Sequence, residues 1–215
     1  MTNVEKIKQT ETYVHNELSG EASGHDWWHI YRVTKLAKTI ASVEGADVFI
    51  CEMAALLHDI ADEKLNESEE AGLKKVESWL QRIEVEDASM KHIMEIIASM
   101  SFKGGGQPPM KTLEGQVVQD ADRLDALGSI GIARTFAFGG AKGNIMYDPS
   151  IKPRESMSKE DYQKRDNTAI NHFYEKLLKL KDLMNTPYGK QLAEGRHQYM
   201  EQFLDQFYRE WEGER

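Results

Sequence analysis

Cysteine is nearly absent from this chain. The single Cys51 rules out a disulfide within one chain and a cysteine-based zinc knuckle alike. Its neighbours Ile50 and Met53 to Leu57 read as a buried helix, so the thiol is expected to be a small core group. Proline is scarce too, 5 in 215 residues, and no run alternates polar and apolar side chains as a half-buried strand does. No apolar run approaches the ~20 residues that a membrane span needs. The opening MTNVEKIKQTETYVHNEL lacks the apolar segment of a secretory signal. A cytoplasmic location without a membrane partner is therefore expected. Nor is there a block of lysine and arginine. The 27 basic residues are outnumbered by 36 acidic ones, for a net charge of −9. DNA, RNA and anionic membranes are held mainly by clustered cations, so a nucleic-acid polymer is not expected as a partner. A nucleotide needs only a local metal and a few cations, and it stays open.

What the chain does have is helical periodicity. Hydrophobic residues make up 40%, enough for the core of one helical domain with a helical extension. Val33, Leu36, Ala37 and Ile40 recur at three- and four-residue intervals, the mark of one apolar helix face. Further helices are expected over 46–60, 73–83, 92–100, 167–184 and 190–211. Residues 113–138 read as two helical pieces divided near Gly128 to Gly131. Two segments break the pattern, KGGGQPPMK at 103–111 and a stretch rich in Gly and Pro at 139–160. Long connections of this kind serve either as substrate loops or as plain links.

Three clusters carry candidate chemistry. In GHDWWHIYRV (24–33), His25 and His29 are four apart and share a helix face, with Ser23 or Asp26 as the cap. In AALLHDIADEK (54–64), the pair His58-Asp59 ends a very apolar run. Burying an imidazole and a carboxylate there is costly unless they are paired or metal-bound. In VVQDADRLDALGSIGIAR (117–134), Asp120, Asp122 and Asp125 interrupt an apolar helix. Asp122 and Asp125 lie on one face and Asp120 on another. Each cluster alone is weak, but together they offer imidazole and carboxylate, the ligands of Mn, Fe, Zn, Ni or Mg ions.

The order His29, then His58-Asp59, then Asp122 resembles the H…HD…D signature of the HD-domain superfamily of phosphohydrolases. GHDWWHIYRV, ALLHDIADEK and QDADRLDALGSIGIAR are similar to the three motif blocks of its small stand-alone bacterial members, and NHFYEKLLKLKDLMNT (171–186) also resembles them. The resemblance implies an all-α HD-domain bundle with the metal at its centre. Residues 1–140 would form the metal-binding core, and 141–215 a loop and C-terminal helices packed on it. It implies one divalent ion (Mn, Mg, Ni, Fe or Zn) on His29, His58, Asp59 and Asp122. Dinuclear members add histidines on a later helix. Here Met100 holds that position, and His92 falls about two turns early. Asp62 and Glu63 fall where related alarmone hydrolases carry an acidic pair that activates water, although in reversed order.

The implied reaction is hydrolysis of nucleoside or deoxynucleoside triphosphates to a monophosphate and pyrophosphate. Asp62 or Glu63 would act as the base. Lys64, Arg123 and Arg32 are the candidate phosphate contacts, with Arg134 behind them. His25 reads either as a substrate contact or as a cap packed on Trp28. Asp125 is expected to orient Arg123 or a ligand histidine, and Asp120 to be an outer partner or solvated. Trp27, Trp28 and Tyr31 at helical spacing read first as core, and second as a stacking surface for a base. His172, Lys176 and Lys179 read as a solvated face, or else as the rim of the substrate mouth. Alternatives are a nucleotide monophosphatase, a phosphodiesterase, a metal-bound nucleotide sensor without turnover, or an oxygen-activating dinuclear protein. A homodimer is allowed on base rates alone.

Overall fold

The computed structural model describes residues 1–19, 26–62, 65–100, 110–154 and 168–214. Every regular element among these residues is an α-helix or a short 3-10 helix, so the all-α expectation holds. Contacts group the chain into two compact units, Met1–Asp122 and Arg123–Arg215.

The first unit holds α1 (Asn3–Glu17), α2 (Trp27–Glu44), α3 (Val48–Leu57), α4 (Glu69–Arg82), α5 (Asp87–Met100) and most of α6 (Leu113–Asp125). Short polar side chains start these helices. Thr2, Asp26, Asp47 and Ser68 each accept an N–H from the first turn of α1, α2, α3 and α4. Such caps are worth about 1 kcal/mol each. Gly45 ends α2 at φ 76, a left-handed conformation that glycine adopts without strain. Helix α3 is the core of the unit. Ile50, Cys51, Met53, Ala54, Ala55, Leu56 and Leu57 are all buried, because α3 packs against α1, α2 and α5. On α2, Val33, Ala37 and Ile40 of the stripe read from the sequence are buried and Leu36 is half-buried, with Ile30 and Ala41 buried beside them.

Two details differ from expectation in ways that bear on the site. The helix expected over 46–60 is α-helical only to Leu57, and then tightens into a 3-10 turn, His58–Ala61. Helix α4 lies on that turn. A methyl group at Gly72 would sit 2.5 Å from the Ala61 carbonyl oxygen, so only glycine permits the approach. Helix α1, which the periodicity does not announce, opens with a reciprocal box in which Thr2 and Glu5 each cap the other's backbone.

The second unit holds α7 (Gly128–Ala141), α8 (Ala169–Glu175), a 3-10 segment (Leu177–Leu183) and α9 (Pro187–Trp211). The divide expected near Gly128 falls at Ala126 and Leu127, and Gly128 opens α7 at φ 69. Gly139 and Gly140 are still helical, so the irregular segment expected from 139 begins at Lys142. The helix expected over 167–184 is α8 plus the 3-10 segment. Phe136, Phe173 and Phe203 interlock in the core of this unit, with centroids 5.8–6.1 Å apart. No helix among the described residues is long and apolar enough to cross a membrane.

Candidate metal centre

His29, His58 and Asp59 converge at the centre of the first unit. Asp26 caps α2 by accepting the His29 N–H at 2.7 Å, which fixes the first turn and directs the imidazole inward, where it is 3% exposed. His58 and Asp59 occupy the 3-10 turn after α3, so the core helix delivers them together. One ligand atom from each of the three lies within 4.8 Å of the other two. Asp122, on α6, brings its Oδ1 to 3.4 Å from His29 Nε2 and 3.9 Å from His58 Nε2. Asp59 turns Oδ2 to His29 Nε2 at 3.6 Å and Oδ1 to His58 Nε2 at 3.4 Å.

These separations are long for hydrogen bonds, whose N···O mode is near 2.9–3.0 Å. They suit atoms that face a common ion. With metal–ligand bonds of about 2.1 Å, neighbouring ligands stand roughly 3.0–3.5 Å apart. His58 gives the sharpest indication. Its Nδ1 lies 2.8 Å from the Ala55 carbonyl, which can only accept, so Nδ1 carries the hydrogen of the neutral ring. Its Nε2 is buried and has no hydrogen-bond partner. A buried acceptor left without a partner costs about 1–3 kcal/mol, and a cation among the carboxylates relieves that cost. The donor set of imidazole nitrogens and carboxylate oxygens therefore fits a divalent metal. At Asp122 the surrounding protein pushes the carboxyl pKa up. The nearby His29 and His58 imidazoles outweigh this, so the net shift is downward. Its side chain is also 41% exposed, so the cluster has an opening on that side.

The remaining candidates fall in different places. Asp62 ends the 3-10 turn, half-buried, three residues after Asp59. Arg32 is half-buried on α2, three residues after His29. His25, Glu63 and Lys64 lie outside the described residues. Arg123 donates from Nη1 to the Leu183 carbonyl. Asp125 is buried and receives Arg134 Nη1 at 2.5 Å, an ion pair nine residues apart. Arg134 thus belongs to an internal pair. Asp120 is fully buried, which removes its solvated reading. The core reading of the aromatics fails for two of them. Trp28 is 61% exposed and Tyr31 41%, stacked edge to face 5.9 Å apart. His172 and Lys176 are half-buried, so the solvated face shrinks to Lys179. His92 bonds Thr112 Oγ1 at 3.1 Å and faces Glu114 at 3.6 Å, a local tie between α5 and α6. The sequence reading overlooked Asn66, whose carboxamide donates to the Ile60 and Asp62 carbonyls, both at 2.8 Å.

The chain is similar to several known proteins. A sequence profile of the family described as HD domain matches residues 27–127. The chain is 41% identical over 208 residues to YpgQ of Bacillus subtilis, described as uncharacterized, covering 96% of this chain and 94% of that protein. Among solved structures it is similar to an HD-superfamily hydrolase from Bacillus thuringiensis, with 57% identity and a TM-score of 0.81, over 98% of this chain and 99% of that one. It is also similar to Bacillus subtilis YpgQ in complex with ADP, with 38% identity and a TM-score of 0.79, over 98% and 97% of the two chains.

Proposed function

The chain belongs to the HD-domain superfamily, and from that premise we propose that it is a metal-dependent phosphohydrolase cleaving nucleoside or deoxynucleoside triphosphates to monophosphate and pyrophosphate. The observation that carries the reading is the buried His58 Nε2, open toward two carboxylates and a second imidazole. His29, His58, Asp59 and Asp122 are proposed to hold one divalent ion, for which Mn²⁺ and Mg²⁺ are the first candidates. Such an ion supplies Lewis acidity toward a phosphoryl oxygen and makes water acidic enough to ionise near neutral pH. The ADP complex of the YpgQ relative supports a nucleotide with a phosphate chain as the ligand class.

The chain's own residues have three tasks. Asp59 and Asp122 concentrate negative charge where a cation is needed, and the two imidazoles remain neutral donors. Asp62 is the proposed base. In a 3-10 turn, side chains three apart are eclipsed and about 6 Å separated along the axis, so Asp62 follows Asp59 on one edge. It can take the proton of the attacking water as that water approaches the α-phosphorus. Arg32 is proposed to bind the phosphate chain, which is negatively charged and grows more so at the leaving oxygen. On sequence grounds Glu63 would share the work of Asp62, and Lys64 and His25 would contact substrate.

The test is product release from a panel of NTPs and dNTPs by protein stripped of metal and resupplied with Mn²⁺. Pyrophosphate from wild type, with at least a hundredfold loss in His58→Ala, is the expected result. Orthophosphate as the sole product would instead assign a terminal phosphatase. Silence on every triphosphate, with metal bound, would sink the proposal.

A further inference from the structure

Asn66 stands outside every motif read from the sequence, yet it makes two hydrogen bonds to the turn that carries the proposed chemistry. Both run from Nδ2, at 2.8 Å to the Ile60 carbonyl and 2.8 Å to the Asp62 carbonyl. Carbonyl oxygens only accept, so the amide nitrogen must face them and both of its hydrogens are used. The carbonyl between these two, that of Ala61, is pressed by Gly72 of α4. A methyl at Gly72 would lie 2.5 Å from that oxygen and 2.8 Å from Asn66 Nδ2. Three successive peptide planes, 60 to 62, are therefore fixed from one side. The turn is closed further by the Asp62 N–H on the Asp59 carbonyl and the Leu65 N–H on the Asp62 carbonyl, both at 3.0 Å. Upstream of these planes stand His58 and Asp59, and Asp62 lies between the last two.

We infer that Asn66 is a positioning residue for hydrolysis, whose carboxamide holds the Ile60–Asp62 backbone so that the Asp62 carboxylate is set at a fixed distance from the His29/His58/Asp59 cluster. The inference rests on the function proposed above. The two N–H groups are needed because Asp62 leaves the turn in an extended conformation, φ −62 and ψ 135. A continued helix would have supplied a donor to the Ile60 carbonyl. The backbone turns away instead, and Asn66 supplies that donor while sharing the Asp62 carbonyl with the Leu65 N–H. An error of about 1 Å in the placement of a reacting group costs on the order of a hundredfold in rate. Metal affinity should be nearly indifferent, because His58 and Asp59 are also held by α3 and by the Ala55 carbonyl.

Asn66→Asp keeps the shape and removes both donors. On the triphosphate that wild type cleaves best, kcat should fall 10- to 100-fold while KM and the Mn²⁺ dissociation constant move less than threefold. A readout independent of turnover is hydrogen exchange in the metal-free protein, where the Asp62 and Leu65 amides should exchange at least tenfold faster in the variant. Should the charge prevent folding, Asn66→Ser retains one donor on a shorter stem and carries the same test with a smaller loss. Unchanged kcat with unchanged exchange overturns the inference. A parallel fall in kcat, metal affinity and melting temperature also overturns it, by making Asn66 merely structural. Failure of the functional reading looks different, since wild type itself would then release nothing from the panel. The positioning role would fall with it.

Discussion

The His58 ring is held from one side and open on the other. The Ala55 carbonyl accepts from Nδ1, and Nε2 is left buried among Asp59, Asp122 and His29. A ligand that binds only the folded chain stabilises it by mass action, about 2.7 kcal/mol at a hundred times its dissociation constant. For a chain of this size that corresponds to a rise in Tm of roughly 5–10 °C. Mn²⁺ added to chelator-stripped protein should therefore raise the melting temperature by this amount, and His58→Ala should lose the rise. A full shift retained in His58→Ala would place the metal elsewhere. The side chains behind this prediction were legible in the sequence for a physical reason. A His-Asp pair at the end of a run as apolar as Met53 to Leu57 cannot be buried without compensation. Asp26 was legible as a cap for a similar reason, since the first turn of a helix needs an acceptor. Asn66 was not, because an asparagine in a polar stretch has no periodic signature, and its partners are backbone atoms. Nor was the Asp125–Arg134 pair, which joins the last residue of α6 to α7 across a break that changes the register.

At the scale of elements, the helices that showed in the sequence are those whose buried face is apolar. Helix α1 shows the opposite case. Its buried residues are Lys6, Thr10 and Val14, and two of the three are polar. Lys6 donates to the Glu84 carbonyl, at the one described non-glycine residue with positive φ. Thr10 accepts the Trp79 indole N–H at 3.0 Å while donating to the Lys6 carbonyl at 2.9 Å. Tyr13 stacks on the same indole, with centroids 4.0 Å apart. A helix attached by hydrogen bonds and a ring stack offers little apolar period to read, which is why the sequence left it unassigned. The attachment makes its own prediction. Thr10→Val is isosteric, but it leaves the Trp79 N–H without its acceptor, at a cost of about 1–2 kcal/mol. Thr10→Ser keeps the hydroxyl and should lose less than half as much. Urea unfolding of the two variants decides it, and equal losses would mean that the methyl, not the hydroxyl, holds α1 to α4.

At the scale of the molecule, acid should act on stability through a histidine of the second unit. His172 is packed in α8. Burial pushes its pKa down to about 4, helped by the Lys176 and Arg154 charges and opposed by Glu175. The unfolded chain, with an ordinary imidazole near 6.5, takes up the proton first. Above pH 6.5 neither state is protonated and the residue is neutral toward stability. As pH falls from 6.5 to 4 the unfolded state gains protons that the folded state refuses, so stability declines, and below 4 the decline levels off. From pH 7.5 to 5 the expected loss is on the order of 2 kcal/mol from this one group. The 36 carboxylates titrate over part of this range as well. That background is common to wild type and variant, and it cancels in their difference. Metal-free protein is needed, because ligand histidines must shed protons to bind an ion and would add a slope of their own. In His172→Gln, whose side chain does not titrate, the unfolding free energy measured in urea should fall about 2 kcal/mol less between pH 7.5 and 5 than in wild type. Parallel curves for the two proteins would show that His172 titrates normally, and that the acid response of the chain belongs to its other titratable groups.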